Sequence, residues 1–222
     1  GCHTVLLSSE DLEGALHDDR PLAAIAEAAR QGDVTDVEWH VVLRDPGACF
    51  ASLFAQLQHH VYADALALLY DVMRRGSISI EEPRPGEGTP YWYYSFDHHR
   101  DLTRLAERTG TRPVAHDYRD ALPFPGWRML APDGVLPPLP RLPGEDARNG
   151  RLGESAVAQG YVDRIMEAIP DADDQQAMLD CFTDSLRASL AGVETYAAIV
   201  GKRYGKAHRR ALAEFARASF SG

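Results

Sequence analysis

The sequence predicts an α/β fold: a parallel sheet flanked by helices and followed by a helical C-terminal region. Three observations carry this. A short, continuously apolar run stands at Thr4-Val5-Leu6-Leu7-Ser8, and further strand candidates follow at Glu38-Trp39-His40-Val41-Val42-Leu43 and Pro113-Val114-Ala115-His116-Asp117-Tyr118. Strands of that kind are buried on both faces, as in parallel sheets. Between them lie stretches with apolar residues at helical spacing, and strand–helix alternation marks an α/β domain. Beyond residue 150 the pattern turns almost wholly helical. The expected division is an α/β core over residues 1–150 and a helical region over 151–222 packed on it.

Each element has its own signal. After the first strand, Ser9 precedes Glu10-Asp11-Leu12-Glu13, a serine cap with acids in the first turn of a short helix. Pro21 opens a helix over 22–30, and Gln31-Gly32-Asp33 ends it. The second strand, 38–43, stops at Arg44-Asp45-Pro46-Gly47. A helix over 48–60 follows, with Phe50, Leu53, Phe54 and Leu57 on one face. A further helix over 63–75 carries Leu66, Leu69, Tyr70 and Met73. Residues 81–90, rich in Pro, Gly and Glu, read as an exposed loop, and Tyr91-Trp92-Tyr93-Tyr94-Ser95-Phe96 is an aromatic cluster. A helix over 97–108 ends at Thr109-Gly110, ahead of the third strand. Residues 121–150 are rich in Pro and Gly and read as a long irregular connection. Three helices are expected last, over 153–169, 173–191 and 193–218, with a break near Gly201 to Gly205.

Composition narrows the function classes. The 222 residues hold 45% hydrophobic and 25% charged residues, the balance of a folded chain rather than a disordered one. With 23 Lys+Arg against 33 Asp+Glu the net charge is −10, which repels phosphate and disfavours a general nucleic-acid binder. No run of about 18 apolar residues exists to span a membrane. The region from Cys2 to Leu16 carries Glu10, Asp11 and Glu13 and has no basic start, so it does not read as a signal peptide. Cys2, Cys49 and Cys181 are odd in number and far apart, neither a disulfide framework nor a zinc site. A reducing cytoplasm is the expected compartment. Nothing in the pattern fixes an oligomeric state.

The chemistry-bearing stretch is Val41-Val42-Leu43-Arg44-Asp45-Pro46, with Ser52 eight residues after Arg44. A buried strand delivers Arg44 to the carboxyl end of a parallel sheet, where α/β proteins bind ligands. The following turn opens a helix whose N–H groups favour an anion. Arg offers a fork matched to phosphate oxygens, and Ser52, about one turn into the helix, adds a hydroxyl. Together they form a monophosphate site. On spacing alone, the same residues also fit a surface ion pair and a small packing residue.

This stretch resembles the 3′-phosphate-binding segment of sulfotransferases that use 3′-phosphoadenosine 5′-phosphosulfate (PAPS). In that segment an apolar strand, an Arg, a polar residue and often a Pro are followed by a Ser eight positions after the Arg. Other segments resemble bacterial members of the family in the same order. They are Leu7-Ser8-Ser9-Glu10-Asp11-Leu12, Tyr94-Ser95-Phe96-Asp97 with Leu102 and Leu105, the strand Val114 to Arg119, and Arg148-Asn149-Gly150 with Leu152 and Ser155. The resemblance covers roughly residues 4–170. It implies a P-loop-related sheet and transfer of a sulfuryl group from PAPS to a hydroxyl of a carbohydrate or small metabolite. Arg44 and Ser52 would then bind the 3′-phosphate. Ser8 and Ser9 would contact the cosubstrate or acceptor, or simply cap a helix. Glu10 would take the acceptor's proton as general base, or merely decorate a helix start. No metal is implied. The family's Gly/Ser/Thr-rich loop for the 5′-phosphosulfate has no counterpart here: Gly86-Glu87-Gly88-Thr89 is acidic, lies among prolines and opens no helix. That loop is expected to precede Gly1, with the chain lacking the family's first strand, loop and helix. The alternative is a non-catalytic nucleotide-binding or scaffold domain of the same fold; a third is a helical interaction module over 151–222.

The remaining features have plainer readings beside the functional ones. Neighbouring histidines on a helix point about 100° apart, so neither His59-His60 nor His98-His99 readily shares one metal ion. The aromatic cluster could stack on a sugar or pack against the sheet. Lys202, Arg203, Lys206, Arg209 and Arg210 form one basic patch, which reads as an anion contact or a solvated helix face. Neither a Gly-x-Ser-x-Gly elbow nor a Gly-x-Gly-x-x-Gly turn is present, against a hydrolase or a Rossmann enzyme. Acceptor loops are expected over 76–95 and 121–150.

Overall fold

Aspartates start most of the helices. The computed structural model describes residues 7, 10–57, 64–81, 91–119 and 153–216. In chain order it contains a 3₁₀ helix (Glu10–Leu16), α1 (Asp19–Gln31), β1 (His40–Leu43), α2 (Pro46–Gln56), α3 (Ala65–Arg75), β2 (Ser77–Glu81), β3 (Tyr91–Ser95), α4 (His98–Thr109), β4 (Val114–Asp117), α5 (Glu154–Ala168) and α6 (Ala172–Glu214). Asp18, Asp45, Asp64, Asp97 and Asp171 cap α1, α2, α3, α4 and α6, each carboxylate accepting an N–H of the first turn. Such a side chain satisfies a donor that has no partner within the helix. Helices α3 and α4 end on Gly76 and Gly110 at φ 69° and 67°, the left-handed conformation that glycine adopts without strain.

The protein is α/β and mostly helical. Strands β1 and β4 pair in parallel, His40 opposite Val114 and Leu43 opposite Asp117. Strands β2 and β3 pair antiparallel, Ser77 opposite Ser95 and Glu81 opposite Tyr91. This second pair corrects the expectation of a loop over 76–95. Ser77-Ile78-Ser79-Ile80 alternates with period two, and the aromatic run supplies its β-favouring partner. The expected strand over 4–8 lies outside the described residues except for Leu7, which is exposed. The loop over 82–90 and the connection over 121–150 lie outside them too, as do His59-His60.

Among the described residues the C-terminal region is helical, but its helices are two and not three. Helix α6 runs unbroken for 43 residues, about 65 Å at 1.5 Å per residue. The glycines that read as breaks are places of close approach. A Cβ on Gly201 would stand 3.7 Å from the Cα of Gly47, and Gly192 lies under the Tyr196 ring. Gly47, at the start of α2, comes nearer still: a Cβ there would meet the Ala197 carbonyl oxygen at 2.6 Å. Among the described residues no helix is long and apolar enough to cross a membrane.

The main core lies where α2, α3, α5 and α6 meet, around Phe50, Phe54, Leu68, Val72, Tyr161 and Val200. Buried hydroxyls close its polar accounts: Tyr161 donates to the Phe54 carbonyl at 3.0 Å and Tyr204 to that of Val72 at 2.8 Å. Ser189 of α6 accepts the first N–H of α3, from Ala65, at 3.0 Å. A second cluster joins Leu43 and Ala115 of the parallel pair to Leu102, Leu105, Ala211 and Phe215. The Ala115 N–H donates to the Phe215 carbonyl, so the end of α6 covers the outer edge of β4.

Candidate functional site

Pro46 has no N–H for a ladder and fixes φ for a helix, so the chain leaves β1 and enters α2 within two residues. Arg44 is thereby set at the carboxyl end of β1. Parallel pairing brings the end of β4 beside it. The Tyr118 N–H donates to the Leu43 carbonyl at 2.9 Å, and the Arg44 guanidinium carbon lies 5.1 Å from the centre of the Tyr118 ring. This is a cation–π contact. Arg44 is half-buried and has no carboxylate partner among the described residues. The surface ion pair that its spacing also allowed is therefore absent among them.

Arg119, one residue beyond Tyr118, is differently placed. Its guanidinium forks onto Asp117, with Nη2 to Oδ2 at 2.6 Å and Nε to Oδ2 at 3.0 Å. Those hydrogen bonds hold the Asp117 carboxyl below the usual carboxylate range.

The start of α2 is not open. Pro46 offers no donor, and Asp45 Oδ1 accepts the Ala48 N–H at 3.0 Å. The helix end expected to attract an anion thus already holds a carboxylate. Ser52 is also placed otherwise than expected. Because the helix begins at Pro46, Ser52 is its seventh residue, about 9 Å along the axis and nearly two turns in. It is half-buried, and no hydrogen bond joins it to Arg44. Cys49 lies between them in sequence, in the first turn of α2. Burial pushes its thiol up to about 12, with Glu13 adding to the shift and Arg44 opposing it, so it stays protonated at neutral pH.

Glu10 is the first residue of the 3₁₀ helix, one turn ahead of Glu13. Glu13 Oε1 accepts the Ser95 N–H at 2.8 Å and ties that helix to β3. Ser8 and Ser9 lie outside the described residues.

Sequence reasoning weighed His98 only as a neighbour of His99 and singled out neither its partner His208 nor Asp101. His98 and His208 are both buried, with Nδ1 to Nδ1 at 3.0 Å, so one ring donates and the other accepts. Burial, then the neighbouring His208, pushes His98 down to about 4; burial likewise lowers His208, against the pull of Asp117 and Asp45. Both rings are therefore neutral at pH 7. Beside them Asp101, wholly buried, accepts from Ser95 Oγ at 2.7 Å, from Arg100 Nε at 2.7 Å and from the Tyr93 hydroxyl at 3.2 Å. The histidines are 110 residues apart, and no sequence spacing announces such a pair. Of the aromatic cluster, Tyr93 and Phe96 are buried, and Tyr93 stacks on His17 at 5.0 Å. Among the described residues no three His, Cys, Asp or Glu side chains gather as a metal site.

Comparison with protein-family models, with curated proteins and with solved structures finds no match for this chain.

Proposed function

We propose that the chain is a sulfotransferase-type domain, with a sheet of P-loop type, working in the cytoplasm. It moves a sulfuryl group from PAPS to a hydroxyl of a carbohydrate or small metabolite. In the step, the acceptor oxygen forms a bond to sulfur as the phosphosulfate S–O bond breaks. Adenosine 3′,5′-bisphosphate leaves, and the hydroxyl proton passes to Glu10. Arg44 and Ser52 hold the 3′-phosphate, and Ser8 and Ser9 lie by the cosubstrate. In-line transfer of this kind depends on positioning and on charge stabilisation, by analogy with phosphoryl transfer.

One observation carries the reading. Arg44 stands at the carboxyl end of a parallel strand pair with its guanidinium on a tyrosine ring and no carboxylate partner among the described residues. A half-buried guanidinium that rests on an aromatic ring and has no carboxylate there keeps its forked donors available to an anionic ligand. A second reading, a non-catalytic nucleotide-binding or scaffold domain of the same fold, is favoured by Asp45, whose carboxylate sits at the start of α2 and opposes a second negative group there.

Calorimetric titration with adenosine 3′,5′-bisphosphate, beside Arg44→Ala, tests the site. Charge-assisted hydrogen bonds of this kind are worth about 1.5–3 kcal/mol, so the variant should bind at least roughly tenfold more weakly. A folded wild type that does not bind, or a variant that binds equally, overturns the assignment. Glu10→Gln that binds the bisphosphate normally but no longer transfers sulfate separates the enzyme from the scaffold.

A further inference from the structure

The basic patch on α6 has a structural setting that its sequence does not disclose. Arg203, Lys206 and Arg210 follow one another at three- and four-residue steps, so they share a face of the helix. That face closes one side of a cleft of about 370 Å³, whose other side is the start of α4, with Asp97 and Arg100. Four Lys or Arg side chains line it against one Asp, in a chain whose net charge is −10.

Its cations are not equally engaged. Arg100 is fixed by Asp101 and by the Arg75 carbonyl, and Arg210 pairs with Glu214 at 2.6 Å, as does His99 at 2.7 Å. The carboxylate of Asp97 is turned to its own helix, accepting the Arg100 N–H. Arg203 and Lys206 have no acidic partner among the described residues. The Arg203 guanidinium lies 5.7 Å from the ring centre of Tyr204, whose hydroxyl is anchored on the Val72 carbonyl. Arg203 thus rests against a fixed aromatic ring, and with Lys206 it brings two unneutralised charges to the lining of a space large enough for a small metabolite.

We propose that this cleft binds a doubly charged tetrahedral oxoanion, as free phosphate or sulfate or as a phosphate monoester on a small metabolite. Two cations match its charge. The guanidinium fork and the ammonium together offer donors to three oxygens, which a single planar carboxylate would leave partly unused. The cleft is separate from Arg44, and the proposal does not depend on the sulfotransferase reading.

The test is calorimetric titration of the full chain at low salt with inorganic phosphate, inorganic sulfate and glucose 6-phosphate. A saturable site that persists in Arg44→Ala is expected, which keeps it apart from any phosphate held at Arg44. Tighter binding of glucose 6-phosphate assigns the monoester as the ligand; equal binding assigns the free ion. The double variant Arg203→Gln with Lys206→Gln should lose at least about tenfold in affinity, since each charge-assisted contact is worth about 1.5–3 kcal/mol. Both side chains are exposed, so the fold should survive. Ala207→Glu, which puts a carboxylate into the cleft, should weaken binding as well. Arg44→Ala should leave it unchanged. No saturable binding by the folded wild type, full binding by both cleft variants, or loss in Arg44→Ala overturns the proposal.

Discussion

The crossing of α2 and α6 offers a sharp test of the packing, because its two glycines are predicted to respond in opposite ways. A Cβ on Gly47 would stand 2.6 Å from the Ala197 carbonyl oxygen and 3.3 Å from its carbon. Those are backbone atoms inside a long helix, so they cannot turn aside. The helices must separate by several tenths of an ångström, and the fit of Phe50 and Val200 loosens with them. Overpacking of this kind costs about 1–3 kcal/mol. For a chain of this size each kcal/mol lowers Tm by roughly 2–4 °C. Gly47→Ala should therefore melt roughly 2–12 °C below wild type. Across the same contact, a Cβ on Gly201 meets nothing nearer than 3.7 Å. There an alanine adds ordinary van der Waals contact and removes the penalty of glycine within a helix, about 0.5–1 kcal/mol. Gly201→Ala should leave Tm unchanged or raise it. Thermal unfolding of both variants by circular dichroism decides the matter. An unperturbed Gly47→Ala, or a Gly201→Ala that melts as low as Gly47→Ala, refutes the crossing as described.

The buried polar groups make two further predictions. Asp101→Asn leaves three donors facing an amide in place of a carboxylate, and breaking a buried pair costs roughly 3–5 kcal/mol; Asp71→Asn, on an exposed pair, should cost less than about 1 kcal/mol by urea denaturation. The fall of His98 to about 4 from its ordinary value near 6.5 corresponds to roughly 3 kcal/mol. Unfolded chains take up that proton below pH 6.5 while the folded chain refuses it until about 4, so this stability is complete above 6.5 and is lost as pH falls through the interval. The group faces His208 on α6, Asp101 on its own helix, the Ser95 backbone and Asp45. Denaturation at pH 7, 6 and 5 should show a shallower slope in His98→Asn than in wild type, and equal slopes would sink the assignment.

Much of the fold was legible because local chemistry and tertiary packing agree. Aspartate caps, Gly76 and Gly110 bound the helices, and the apolar steps of Phe50, Leu53, Phe54 and Leu57 name the face that α2 buries. The strand candidates 38–43 and 113–118 were readable from their β-favouring residues, and within them His40–Leu43 and Val114–Asp117 pair in parallel. What was hidden lies in long-range contact. Gly192, Gly201 and Gly205 look like helix breakers, and only the partner helix and the Tyr196 ring reveal why two of them are small. The β2–β3 pair was masked by the turn-forming composition between its strands. At the candidate site, the position of Arg44 at the strand end was readable, whereas its tyrosine partner, the carboxylate of Asp45 in the helix mouth and the depth of Ser52 depend on where α2 begins. The histidine pair and the α4–α6 cleft are products of docking, and no spacing within either helix foretells them.

Helix α6 comes later in the chain than every element it clamps. Ribosomes deliver α2 and α3 first, and until α6 has emerged, Phe50, Leu68 and Val72 have no partner face to close against. Synthesis order and packing order are thus opposed. The Ala65 amide waits 124 residues for the Ser189 hydroxyl, and Val72 waits 132 for that of Tyr204. Contacts of such span close slowly. The nascent chain therefore carries a sticky, half-built core for most of its translation, and slowing elongation across the codons of α6 prolongs that exposure and raises aggregation.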